Sequence, residues 1–334
     1  MTKPKIGMVG YFGWGNFGDE LFLRAHKSIL GESYDLSVVH DLTEKPYFSG
    51  VAMDNLKTFD GFLIGGGDLI NPNAVSELYW RDEYLEKPVF IHGVGCPNIK
   101  VKKSKSINYF KKFFSSPSVK HICLRDVESK AYFDSVIDSS LGATSFPDVV
   151  FSMDLPSIQR KPKKEKVLGI VLRSHKSLNS GYEQVRNAVD QAKSLGYGVR
   201  IIVAAFGKLG EADLAVSQEF AEPGESVFYS DDLMEICKAL GECALVLSMK
   251  FHALVVGTMY GQPVIQLSST QKNRNLFRYL QRPDLSANYK DIDLSKRIPA
   301  IPAPIHSLLV KKLKRDALNG YSELKKSMDG VFYG

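Results

Sequence analysis

Ser248-Met249-Lys250-Phe251-His252 sets an ammonium and an imidazole two residues apart, directly after the apolar run 244–247. Arg173 directly follows another apolar run, 167–172. An imidazole gives or takes a proton near neutral pH. A guanidinium grips phosphate or carboxylate with two hydrogen bonds, and an ammonium holds an anion as a point charge. Both positions read as the end of a strand, and Lys250 and His252 also open a helix, whose free backbone amides favour an anion. The helix dipole holds an unliganded His252 neutral, and a bound phosphate reverses that and makes it a proton donor. The combination predicts a site for an anionic, phosphate-bearing substrate.

The second candidate is Gly10-Tyr11-Phe12-Gly13-Trp14-Gly15-Asn16-Phe17-Gly18-Asp19-Glu20. It contains G-x-G-x-x-G between a strand and a helix, with Asp41 about 20 residues on, the spacing of a dinucleotide fingerprint. Three details argue against NAD. Tyr11 and Phe12 separate the strand end from the first motif glycine, four aromatics crowd the loop, and Asp19 and Glu20 would repel a pyrophosphate at the helix start. A tight aromatic turn of purely structural use remains open. The alternative is an acceptor loop in which Asn16, Asp19 or Glu20 bonds substrate hydroxyls and Trp14 or Phe17 stacks on a sugar face. Asp19 is expected at the helix N-cap, either as a plain cap or as the base that takes a hydroxyl proton.

The elements that must carry these residues alternate. Apolar runs at 6–9, 36–39, 61–64, 88–92 and 121–124 read as strands, with helical spacing at 20–30 and 127–136. The second half repeats the pattern, with strands at 167–172, 199–205, 244–247 and 263–267 and helices at 182–195, 252–260 and from a Ser230-Asp231 cap to 240. Residues 307–319 and 322–328 look helical. The expectation is α/β: two Rossmann-like domains, 1–155 with the acceptor loop and 167–334 with the anion site, facing a cleft, with C-terminal helices. Residues 156–166, with two prolines and five cations, read as the linker.

The chain has 334 residues, enough for about two domains, with 44% apolar and 24% charged residues. The net charge of +6 is mild and suits an anionic small substrate or an anionic membrane surface, and no nucleic-acid-binding motif is present. Cys96, Cys123, Cys237 and Cys243 form no C-x-x-C pair and read as buried reduced thiols; no metal or organic cofactor is expected. No signal-peptide pattern or spanning apolar stretch is visible, so the cytoplasm is the expected compartment. The basic stretches 100–105 and 160–166 would also suit the inner face of a membrane.

The glycine-aromatic opening resembles the first motif of polysaccharide pyruvyltransferases. Gly65-Gly66-Gly67 is similar to their second glycine turn, Leu124-Arg125-Asp126-Val127-Glu128-Ser129 to an R-D-x-x-S element, and Pro147-Asp148 to a later P-D. Ser248-Met249-Lys250-Phe251-His252-Ala253 resembles their S-x-R-x-H-A element, with Gly261-Gln262-Pro263-Val264 behind it and Lys272 where a lysine often follows. The order and spacing of these matches, from about residue 6 to 275, are the specific part. The resemblance implies a glycosyltransferase-B-like fold, phosphoenolpyruvate as donor co-substrate, a surface-polysaccharide sugar as acceptor, and a pyruvate ketal as product. By the same resemblance Arg173, Lys250, His252 and Lys272 serve the donor. At Lys250 this chain departs from the family arginine, keeping the charge and losing the planar fork. Two other classes stay open on the same fold: a nucleotide-sugar glycosyltransferase and a non-catalytic glycan binder. The acceptor sugar, its attachment to a lipid and the oligomeric state are not fixed by these residues.

Overall fold

Among the described residues eleven short strands form two sheets, most of them apolar runs that pair parallel with their neighbours. The computed structural model describes residues 2–97, 104–158, 166–174, 181–300 and 302–334. Most of the expected linker and most of the basic cluster at 100–105 lie outside these residues.

The first sheet holds β1 (Lys5–Val9), β2 (Asp35–Val38), β3 (Gly61–Gly65), β4 (Val89–Val94), β5 (Val119–Leu124) and β6 (Thr144–Ser145), in the order β2-β1-β3-β4-β5-β6. The second holds β7 (Val167–Val171), β8 (Gly198–Ile202), β9 (Ser226–Phe228), β10 (Leu245–Ser248) and β11 (Val264–Gln266), in the order β11-β10-β7-β8-β9. Every pairing is parallel. Each residue of β3 and β4 is buried, which is why these strands read as unbroken apolar runs rather than as alternation.

Each sheet buries a helix stripe. In the first, helix Phe17–Leu30 buries Leu21, Phe22 and Ala25, and Trp80 is ringed by Phe110, Phe113 and Phe114 at centroid distances of 5.2–5.5 Å. In the second, Val185, Ala188, Val189 and Ala192 of helix Glu183–Ser194 pack on Leu168, Ile170 and Leu172. Full burial of one such Val or Leu side chain contributes about 1.5–3 kcal/mol.

Contacts divide the chain into two units. The first is Met1–Gly13, Asp19–Met153 and Leu313–Gly334, and the second is Trp14–Gly18 and Asp154–Lys312. Against the expected limits of 1–155 and 167–334, the C-terminal segment and the glycine-loop tip each belong with the other unit. The C-terminal segment is one helix, Ser307–Phe332, rather than two pieces. Gly320, which looks like a break, lies inside it because a Cβ there would come within 3.0 Å of Phe146. The expected cap of the helix Leu233–Gly241 shifts by one residue: Asp232 accepts from Met234 N at 2.7 Å. All four cysteines are buried thiols. Among the described residues no helix is long and apolar enough to cross a membrane.

Candidate active site

In the second sheet the strand order reverses between β7 and β10. Ligands of doubly wound sheets bind beyond the strand carboxyl ends at such a reversal. Arg173 lies just past β7, and Lys250 and His252 just past β10. Lys250 is the N-cap of helix Phe251–Met259, with extended φ and ψ of −103° and 129°, so the chain turns sharply there. The turn is closed by Ser248, whose Oγ accepts from Lys250 N and donates to Lys250 O, both at 2.9 Å.

His252 occupies the second position of that helix and is 8% exposed, with its ring edge-on to Phe251 at 4.9 Å. The glycine-aromatic loop also packs against it. A Cβ on Gly18 would lie 1.8 Å from His252 Nδ1, so only glycine lets the imidazole sit there. The loop is tied to the end of β8. Gly15 O accepts from Phe206 N at 2.9 Å, and Asn16 forms an antiparallel bridge with Ala205. Gly15 has φ of +75°, and a Cβ there would fall 2.0 Å from the Phe206 carbonyl oxygen. The loop tip and His252 therefore belong to one packed unit, and the motif glycines are required by protein contacts.

Several expected roles change with this geometry. Asn16, not Asp19, caps helix Phe17–Leu30: its Oδ1 accepts from Gly18 N at 3.2 Å. Asp19 lies in the first turn, and Glu20 Oε1 accepts from Gly13 N at 2.7 Å, bracing the loop from inside. Phe17 is 1% exposed and packs in the core, so it has no face to offer a sugar. Trp14 is half-buried. Arg173 is exposed, and its carbonyl accepts from the Tyr182 hydroxyl at 2.8 Å. Lys272, on helix Gln271–Tyr279, holds its ammonium 5.5 Å from the centre of the Phe251 ring.

Lys250 is not the mobile cation the sequence suggests. Its ammonium pairs with Asp213 and donates to Ala204 O at 2.9 Å. Asp213, on helix Gly207–Phe220, also accepts from Ser174 N at 2.6 Å. One buried carboxylate thus joins the segments that follow β7, β8 and β10. Breaking a buried ion pair from one side costs about 3–5 kcal/mol. Asp213→Asn is expected to cost about 3 kcal/mol, at the low end of that range, because the Lys250 side chain keeps 15% exposure. Urea unfolding measures this, and a loss below about 0.5 kcal/mol, the level of an ordinary surface change, would refute it.

A sequence profile of the polysaccharide pyruvyl transferase family matches residues 16–270. The chain belongs to the polysaccharide pyruvyl transferase family. No curated protein matches it in sequence. Among solved structures it is similar to Anabaena Alr3699/HepE in complex with UDP-glucose, with 11% identity, 98% of this chain and 99% of that one covered, and a TM-score of 0.55. The S. aureus MnaA–UDP co-structure gives 10% identity, 93% and 95% coverage and a TM-score of 0.55. The glycotransferase of kitacinnamycin gives 9%, 98% and 100%, and 0.53. These likenesses are of fold: this family member has the two-sheet α/β architecture of GT-B glycosyltransferases and epimerases.

The family's glycine turn and R-D-x-x-S element meet in the first unit, at the carboxyl ends of β3, β4 and β5. Arg125 pairs with Asp68 and lies 3.7 Å from Asp126, with 3% of its side chain exposed. Burial works against its charge, and the carboxylates of Asp68, Asp126 and Asp148 outweigh that and hold it protonated. Asp126 Oδ1 caps the next helix through Ser129 N at 2.7 Å, and Ser129 Oγ accepts from Cys96 N at 3.0 Å. The motif was visible in the sequence, but nothing in its spacing tied Arg125 to Asp68. Arg125→Met strands these carboxylates and is expected to cost about 3–5 kcal/mol. Thermal unfolding at neutral pH checks it, and an unchanged midpoint would contradict the pairing.

Proposed function

We propose that this protein transfers a pyruvyl group from phosphoenolpyruvate to two hydroxyls of a polysaccharide or precursor sugar, forming a pyruvate ketal and releasing phosphate. The observation that supports this most is His252, seated by Gly18 at the strand-to-helix turn beside the β7/β10 reversal. The start of helix Phe251–Met259 turns backbone amides and the positive end of the helix dipole toward the donor's negative charge, and Arg173 and Lys272 add cations. Lys250, matched by Asp213, fixes the turn on which His252 rides, and the phosphate grip falls mainly to Arg173 and Lys272.

In this mechanism His252 protonates the donor's methylene carbon, which leaves C2 electrophilic. One sugar hydroxyl adds to C2, and Asp19, the residue after Gly18, takes its proton. The C2–O bond to phosphate then breaks, and phosphate leaves with the bonding pair. The second hydroxyl adds to C2, its proton passes to the departing phosphate, and the ketal closes. The carbon skeleton of the donor stays intact and no oxidant or reductant is needed. Trp14, half-buried at the loop tip, is assigned to the acceptor, while Glu20 holds the loop through Gly13 N. The four buried thiols suit a reducing compartment, and the cytoplasm is the proposed site of action.

Soaking phosphoenolpyruvate into crystals tests the donor site. The expected result is density for the phosphate within hydrogen-bonding distance of the helix amides and Arg173, with the methylene carbon facing His252. A saturated crystal with no such density, or one that accepts a nucleotide sugar there instead, would turn the assignment toward a glycosyltransferase.

A further inference from the structure

In the first sheet, β4 and β5 bring together a group of side chains that the proposed chemistry does not use. His92 lies opposite Cys123 in the register, and Phe90 opposite His121. Neighbours in a parallel pair point to the same face, as do residues two apart along a strand. His92, His121 and Cys123 therefore share one face of the sheet. His92 Nδ1 and His121 Nε2 are 3.3 Å apart, and the ligand atoms of all three residues lie within 4.8 Å of one another. His92 and Cys123 are each 1% exposed, while His121 is half-buried and gives access from solvent.

We propose that His92, His121 and Cys123 form a binding site for a zinc-class divalent ion, independent of the pyruvyl-transfer site. Zinc takes imidazole nitrogen at about 2.0–2.1 Å and thiolate sulfur at about 2.3 Å in a tetrahedron, so its ligand atoms stand about 3.3–3.6 Å apart. The two imidazole nitrogens already have that separation, and the sulfur needs only a small side-chain movement. Two nitrogens and a sulfur suit a borderline-soft ion and not magnesium or calcium. Three protein ligands leave a fourth position for water. The ligands sit on two adjacent sheet strands, so little backbone ordering is needed on binding. Tyr321 braces the His92 ring at a centroid distance of 4.9 Å. Cys123 binds as the thiolate, its proton passing to solvent. Sequence spacing gave no sign of the site, because the ligands meet only through the register of β4 and β5.

Titration of the chelator-stripped full-length protein with cobalt(II) and zinc(II) tests the site. The expected result is one equivalent of cobalt showing a thiolate-to-cobalt charge-transfer band and the visible bands of a four-coordinate ion, displaced by zinc. Cys123→Ser is expected to lose the charge-transfer band, and His121→Asn, at a half-buried position that tolerates change, to weaken binding at least tenfold. Cys96→Ser should leave the spectrum unchanged. Circular dichroism confirms that each variant is folded, and a zinc-dependent rise in the melting temperature of the parent gives a readout without spectroscopy of the metal. No binding by the folded parent, or a charge-transfer band that survives Cys123→Ser, would overturn the proposal. Neither result depends on pyruvyl transfer.

Discussion

His252→Ala is expected to lower turnover at least about a hundredfold while leaving the fold intact, because a positioned proton donor contributes about 10²–10⁴-fold. The donor's methylene carbon is a poor base, and a group held against it is what the proposed step lacks without the imidazole. The ring also packs against Phe251, so its removal costs some stability, and the comparison belongs at a temperature where both proteins are fully folded. The donor's KM should change much less than kcat, since binding rests on the helix amides, Arg173 and Lys272. Steady-state kinetics separates the two. Near-parental turnover by the folded variant would remove His252 from the chemistry.

Gly18→Ala is expected to have an effect of similar size without touching a reactive group. A Cβ at this position falls 1.8 Å from His252 Nδ1, so the imidazole must move by an ångström or more. A misplacement of about 1 Å is enough to cost a hundredfold in rate. Stability responds differently. Alanine in a helix is favoured over glycine by up to about 1 kcal/mol, which offsets part of an overpacking cost of about 1–3 kcal/mol. The Gly18→Ala protein should therefore melt close to the parent while turning over about a hundredfold more slowly. The double variant Gly18→Ala/His252→Ala should be no slower than His252→Ala alone and should regain stability, because the collision is gone. Full activity in Gly18→Ala, or independent losses that multiply in the double variant, would show that the two residues do not act through one contact.

Some of this was legible in the sequence for identifiable reasons. Buried parallel strands such as β3 and β4 are continuous apolar runs, and the turns after them carry glycine or charge, so most strands of both sheets could be read; the short edge strands β6 and β9, Thr144–Ser145 and Ser226–Phe228, carry no such run and were not. The turn at 248–252 was readable because an apolar run stops abruptly at Lys250. Helix Gly207–Phe220 was not, because it buries Gly210, Asp213 and Ser217 and so has no apolar stripe. Asp213 went unseen with it, and so did the ion pair that occupies Lys250. Helix Gln271–Tyr279 is similar, with Asn273 and Asn275 among its buried residues. The role of Phe17 was misjudged because an aromatic in a glycine loop looks alike whether it faces a ligand or the core. The glycine spacing left a structural turn and an acceptor loop both open, and nothing in it showed that Phe206 and His252 fill the space beside Gly15 and Gly18. Such long-range fits are set by tertiary packing and have no local signature.

Pyruvyl transfer is decided by what the protein does with phosphoenolpyruvate and a saccharide acceptor. The deciding measurement is phosphate release from phosphoenolpyruvate, run beside mass spectrometry of the acceptor and repeated with His252→Ala. The account predicts one phosphate released per pyruvyl group gained by the acceptor, as a ketal spanning two hydroxyls, and at least about a hundredfold less of both with the variant. Phosphoenolpyruvate left intact with competent acceptors, while a nucleotide sugar is consumed by the same protein, would contradict it.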